Sequence, residues 1–330
     1  MERRAFLGLL AGGLLAAPLA AEAQQARKVW LIAYLAQGSA DRDGDGGYLD
    51  ALRQGLRDLG WVEGKNIAID ARFADGKTEQ LPTLAAELVR RKVDVIVTWT
   101  TPAALAAKHA TRTIPIVIGG AADPVGSGII ASLARPGGNI TGWTHLGLEL
   151  RAKYLELLKE AVPEALRVGV LWNPSNQVHQ PSLRIIEDAA KRLKVHLHLA
   201  GIRDPKEFEG AFTALLGKGV QALVIFPDGM FLAQIRLIMA FAARNRLPTM
   251  CGFKQYVDAG GLLSYAANHL EMQRQLGASF VDKILRGANP ADLPVAQPTK
   301  FELVINLKTA KALGLTIPPS LLQRADQVIE

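Results

Sequence analysis

Five short stretches concentrate the residues able to hold a small molecule. In Thr98-Trp99-Thr100-Thr101-Pro102 an apolar run ends and a proline marks the first turn of a helix. The free N–H groups and positive dipole end of such a start suit a carboxylate, offered here at Thr100 and Thr101. Trp99 has a ring to lay over an aromatic portion of a ligand, or simply to pack in the core. Asp123, in Gly119-Gly120-Ala121-Ala122-Asp123-Pro124, either caps the following turn or accepts from an amine or hydroxyl. Asn173 and Asn176, in Trp172-Asn173-Pro174-Ser175-Asn176, and Asp228, in Pro227-Asp228-Gly229, add neutral and charged hydrogen-bonding groups. Ser39 follows the first apolar run in Gln37-Gly38-Ser39. Asn and Asp are also the ordinary residues of turns, so each has a structural reading on its own. Their convergence on one crevice would make the set a binding site.

Catalytic patterns are missing. The chain has no G-x-S-x-G elbow, no H-E-x-x-H and no C-x-x-C. The glycine-rich Asp43-Gly44-Asp45-Gly46-Gly47 lacks the lysine and spacing of a phosphate loop. His196 and His198 share a strand face with no further ligand close in sequence, so no metal site is assigned. No cofactor is called for, and the expectation is a binding protein rather than an enzyme. The net charge of +7 is scattered over helix faces without interleaved aromatics, which argues against nucleic acid. The lone Cys251 reads as a small core residue.

The elements that must position these loops alternate between strand and helix from end to end. Val29–Leu35 is a buried run, and residues 48–59 carry a leucine stripe at Leu49, Leu52, Leu56 and Leu59. Strands at 67–73, 93–98 and 114–118 are separated by helices at 78–91 and 102–109. The pattern restarts after Trp143, with strands near 168–172, 195–199, 222–226 and 248–251. Such repetition predicts parallel sheets covered on both faces, in two lobes of similar size. In open α/β sheets the crevice for a ligand lies beyond the carboxyl ends of the strands, where the five loops sit. A Pro-rich tail with strands at 262–265 and 301–307 is expected to return to the first lobe and cross back. The expected boundaries are 24–145 plus 262–290 for lobe 1 and 146–261 plus 291–330 for lobe 2.

The first 23 residues read as an export signal. Arg3-Arg4, the apolar run Phe6–Leu19 and Ala21-Glu22-Ala23 form a basic start, a short apolar middle and a cleavage site. The run is shorter than the roughly 20 residues a membrane span needs. Arg3-Arg4-Ala5-Phe6-Leu7 is also similar to a twin-arginine motif. The mature chain is expected to be periplasmic.

The chain also resembles the bacterial ABC-transporter substrate-binding family that includes tryptophan-type receptors. The resemblance spans nearly the whole chain. It is carried by segments such as Gly60-Trp61-Val62-Glu63-Gly64, Thr101-Pro102-Ala103-Ala104 and Asp123-Pro124-Val125-Gly126. Pro136-Gly137-Gly138-Asn139-Ile140-Thr141-Gly142, Leu171-Trp172-Asn173-Pro174 and Pro298-Thr299-Lys300-Phe301-Glu302-Leu303 continue it. It implies a type I periplasmic binding protein: two Rossmann-like lobes joined by a hinge that close on a ligand. It implies as partners a small molecule, amino-acid-like or an aromatic carboxylate, and an ABC permease, with the receptor itself a monomer. A ligand-sensing accessory protein and a periplasmic α/β enzyme are the alternatives. Two positions depart from the family pattern. Trp99 stands where a small residue usually precedes Thr-Pro, and Gly229 follows Asp228 where tryptophan-type receptors resemble Asp-Asn.

Overall fold

The computed structural model describes residues 28–40, 47–148 and 150–330. The export signal and Asp43–Gly46 lie outside these residues. The first lobe opens with β1 (Trp30–Ala36), whose uninterrupted apolar run is buried on both faces. Helix α1 (Tyr48–Asp58) follows, burying Leu49, Leu52 and Leu56 along one stripe. Then come β2 (Ile67–Phe73), α2 (Leu81–Arg90), β3 (Val95–Trp99), α3 (Thr101–Ala110), β4 (Ile116–Ala121) and β5 (Ile140–Thr144). The five strands pair in the order β2-β1-β3-β4-β5, all parallel.

The second lobe contains α4 (Leu150–Ala161), β6 (Arg167–Trp172), α5 (His179–Leu193), β7 (His196–Gly201), α6 (Phe208–Gly217) and β8 (Ala222–Ile225). It continues with α7 (Gly229–Ala233), α8 (Ile235–Arg244), β9 (Thr249–Cys251), α9 (Lys254–Asp258) and β10 (Leu263–Ala266). The single helix expected over 230–243 is broken at Gln234, which caps both α7 and α8. Helices α10 (His269–Met272) and α11 (Ala278–Leu285), joined by a π-helical stretch at Gln273–Gly277, return to pack on α1 and the first sheet. β11 (Glu302–Asn306), α12 (Leu307–Leu313), α13 (Pro319–Leu322) and β12 (Gln327–Ile329) complete the second lobe.

Its sheet has the order β12-β11-β10-β9-β8-β6-β7, with β10 and β11 antiparallel and the other pairs parallel. The two expected α/β lobes are therefore present. The expected assignment of residues 262–290 to the first lobe needs correction at its start. β10 pairs with β9 and β11, because the Gly260-Gly261 turn brings it back parallel to β9. The chain crosses only after Ala266. It then stays on the first lobe until Ala296, whose backbone pairs with that of Gly142 and Thr144 at the edge of β5.

The lobes are closed on each other. Met230, Phe231, Phe253 and Tyr256 of the second lobe share one apolar cluster with Tyr48, Trp99 and Trp143 of the first. Gly76, after β2, approaches Met230 so closely that a Cβ there would stand 3.1 Å from Met230 Cγ.

The interlobe cleft as candidate binding site

Both sheets have a topological switch point, where strand order reverses and the loops at the carboxyl ends diverge to leave a crevice. In the first lobe it lies between β1 and β3. Ala36 pairs with Trp99 there, so Gln37 and Thr100 emerge side by side. In the second lobe it lies between β6 and β8, where Leu171 pairs with Ile225. The loops that leave it carry Asn173, Asn176 and Asp228. The two switch points face each other. A Cβ built on Gly229 would stand 2.9 Å from the Gln37 side chain and 3.3 Å from Thr100 Cγ2.

On the first-lobe wall, Thr100 sits before α3 at φ 84° and ψ 158°, a region that residues other than glycine almost never occupy. Its N–H donates to Gly119 O, and its carbonyl accepts from Ala104 N. The first-turn N–H groups of Thr101 and Ala103 have no acceptor within the helix. Thr101 itself is buried, its hydroxyl accepting from Ala122 N at 3.2 Å. The Thr100 hydroxyl is buried and has no protein partner.

On the second-lobe wall, Asp228 is fully buried and caps α7, its Oδ1 accepting from Met230 N at 2.9 Å. Its Oδ2 accepts from Asn176 Nδ2 at 2.9 Å and Asn173 Nδ2 at 3.2 Å. Burial raises its pKa above the ordinary carboxylate value, and these hydrogen bonds hold it back. Behind this network stands His179, absent from the sequence-level assignment. Its Nδ1 accepts from Asn173 N at 2.8 Å, which leaves Nε2 to donate to Pro227 O at 3.1 Å. Burial, reinforced by the charge of Arg151, lowers its pKa to about 3, so it is a neutral strut. Arg151 is buried too, donating to Ser182 Oγ and lying over the rings of Phe226 and Tyr154.

Trp99 is buried between the two walls. Tyr48 stacks on it with centroids 3.6 Å apart, and Phe253 and Trp143 lie within 6.3 Å and 5.8 Å. The glycine-rich end of β4 makes room for it, since a Cβ on Gly120 would come within 2.5 Å of its ring. Trp99 thus belongs to an aromatic wall whose ring faces are largely taken by protein. Asp123 follows β4, the strand beside β3, directly after Ala122, whose N–H reaches Thr101. It is half-buried, and its Oδ1 closes a turn by accepting from Gly126 N at 2.8 Å. Ser39 is half-buried in the loop after β1.

The structure therefore brings Thr100 and Thr101 together with Asn173, Asn176 and Asp228. Gln37 was missed. The only sequence signal for it was its place directly after β1. Among the described residues no group of three His, Cys, Asp or Glu is placed to hold a metal, and no helix is long and apolar enough to cross a membrane.

Comparison with known proteins agrees with this architecture. The profile of the family described as ABC transporter substrate binding protein matches residues 41–329. A tyrosine-binding protein of Clostridioides difficile is 30% identical over 272 residues, covering 81% of this chain and 77% of that protein. Among solved structures, the ABC domain in complex with L-Trp from Streptococcus pneumoniae aligns with TM-score 0.82 at 25% identity, covering 92% of this chain and 100% of that one. The ligand-free, open structure of a substrate-binding protein with adhesive properties from Clostridium difficile aligns with TM-score 0.61 at 26% identity, covering 91% of this chain and 99% of that one.

Proposed function

This chain belongs to the ABC transporter substrate-binding protein family, and from that premise we propose that it is the periplasmic receptor of an amino-acid uptake system. It captures an amino-acid-like carboxylate between its lobes and delivers it to an ABC permease. The observation that carries this reading is the opposition of the two switch points. The start of α3 offers N–H groups and the Thr100 hydroxyl to a carboxylate. Across the cleft, Asp228 with Asn173 and Asn176 forms a buried polar wall. The cluster of Tyr48, Trp99 and Phe253 provides the apolar side. Relatives that bind tyrosine and L-Trp support an aromatic side chain.

Binding closes the lobes by shifting an open–closed equilibrium, and only the closed form presents both walls at once. The reading of residues 1–23 as an export signal supports a periplasmic location for the mature receptor. The test is to purify the protein from its native host, release the bound compound and identify it by mass spectrometry. Calorimetry with that compound follows. Recovery of an α-amino acid is the expected result. Recovery of a sugar or nucleoside would overturn the amino-acid assignment.

A further inference from the structure

Gln37 takes no part in the carboxylate site just described, yet it stands beside it. It is fully buried and leaves the end of β1 next to Thr100. Its amide Nε2 donates to Thr78 Oγ1 at 2.8 Å, which directs Oε1 the other way. Oε1 has no hydrogen-bond partner in the protein, and neither has Thr100 Oγ1. Both line one spot. A Cβ built on Gly229 would lie 3.1 Å from Gln37 Oε1 and 3.3 Å from Thr100 Cγ2. A buried amide oxygen left without a donor is rare in folded proteins and marks a place where something else completes the bond.

Asp228, the acid facing this spot, is already committed. Its two oxygens accept from Met230 N, Asn173 Nδ2 and Asn176 Nδ2, and the Phe231 N–H adds to them. An ionised carboxylate has about four acceptor sites, so little capacity remains for a ligand. The acceptor with capacity here is Gln37 Oε1.

We propose, resting on the amino-acid reading above, that Gln37 reads the ligand's α-amino group. Its Oε1 accepts from the ammonium while the start of α3 and the Thr100 hydroxyl hold the carboxylate. One carbon separates the two groups of an α-amino acid, so acceptor and donors must be neighbours, as Gln37 and Thr100 are. The clamp is neutral and selects a net-neutral zwitterion. A des-amino acid leaves Oε1 buried without a donor, and an amine leaves the helix start unused. Such unmet polar groups reject analogues far more strongly than lost apolar contact does.

The test is calorimetry on the parent, Gln37→Met and Gln37→Glu. The 20 L-amino acids are screened first. The best binder is then compared with its des-amino acid and its amine; for L-tyrosine these are 3-(4-hydroxyphenyl)propanoate and tyramine. The parent should prefer the amino acid over the des-amino acid by at least about tenfold. Gln37→Met keeps the length without an acceptor and should shrink that preference to within about threefold. Gln37→Glu keeps an acceptor and should preserve or enlarge it. Should Gln37→Met fail to fold by circular dichroism, the Glu variant decides alone: a preference smaller than the parent's overturns the clamp. If Gln37→Met folds and keeps the parent's preference, the clamp falls and the amino-acid reading stands. If the parent binds none of the 20 but does bind a sugar or nucleoside, the reading falls and the clamp with it.

Discussion

The side chain of Asn176 donates to Asp228 Oδ2 at 2.9 Å and so ties the loop after β6 to the loop after β8. These loops are 52 residues apart in sequence. Neither loop is held in place by its own turn alone, and the shared carboxylate makes them one wall of the cleft. Removing that carboxylate tests the wall directly.

Asp228→Ala leaves Asn173, Asn176 and the N–H of Met230 without their acceptor. Unsatisfied buried donors cost about 1–3 kcal/mol each, partly recovered by rearrangement. We expect a loss of about 2–4 kcal/mol in urea unfolding and weaker ligand binding through the displaced Asn173 and Asn176 side chains. Binding within about twofold of the parent would show that the wall does not depend on Asp228.

Gly229→Ala tests closure. The new methyl would meet the Gln37 side chain at 2.9 Å only when the lobes are shut. In an open form the two lobes are apart and the variant folds normally. Solution scattering should show the parent contracting on saturation with ligand while Gly229→Ala stays expanded. Equal contraction in both would refute the face-to-face placement of Gly229 and Gln37.

Gly120→Ala tests the aromatic wall. Gly120 has φ +63°, and its Cβ would reach within 2.5 Å of the Trp99 ring. Left-handed strain and overpacking add, each about 1–3 kcal/mol. A thermal midpoint lowered by several degrees is expected, with quenching or shift of tryptophan fluorescence. An unchanged midpoint would mean that Trp99 is not packed there.

The buried histidines set the acid limit. Burial lowers His179 and His269 from 6.5 to about 3, and pushes His145 down as well. The unfolded chain therefore takes up protons first as pH falls. The stability from His179 and His269 is fully present above about 6.5 and is lost between there and about 3. The slope of each approaches about 1.4 kcal/mol per pH unit below 6.5, so the pair should cost about 3 kcal/mol between pH 6.5 and 5. Asp228 works the other way. Its raised pKa adds stability at low pH that is lost as pH rises through its folded value, so it offsets part of the loss. Urea titrations at pH 7.5, 6 and 5 check the slope. A flat profile would mean that these histidines take up protons as readily in the folded protein as in the unfolded chain.

Much of the candidate site was legible because position in an α/β chain is informative before any contact is known. Thr100, Asn173 and Asp228 follow apolar runs, and the ends of strands are where crevices form. Asp123 shares that signature, and its Oδ1 also closes a turn by accepting from Gly126 N at 2.8 Å. The same residue types make turns and sites, and only the surrounding donors separate the two. Gln37 lay in the right loop but shows no distinguishing composition. The role proposed for it rests on Thr78 orienting the amide and on Gly229 arriving from the other lobe.

By itself the sequence determined the class of fold, the existence of two lobes and the loops at their strand ends. These follow from apolar periodicity and turn chemistry, which act within about 15 residues. Tertiary structure decided the rest. It put β10 in the second sheet, stacked Tyr48 on Trp99 and brought Asn173 and Asn176 onto Asp228. Strand order and lobe contact are chosen by burial summed over residues far apart in the chain. No local pattern of residues carries that sum.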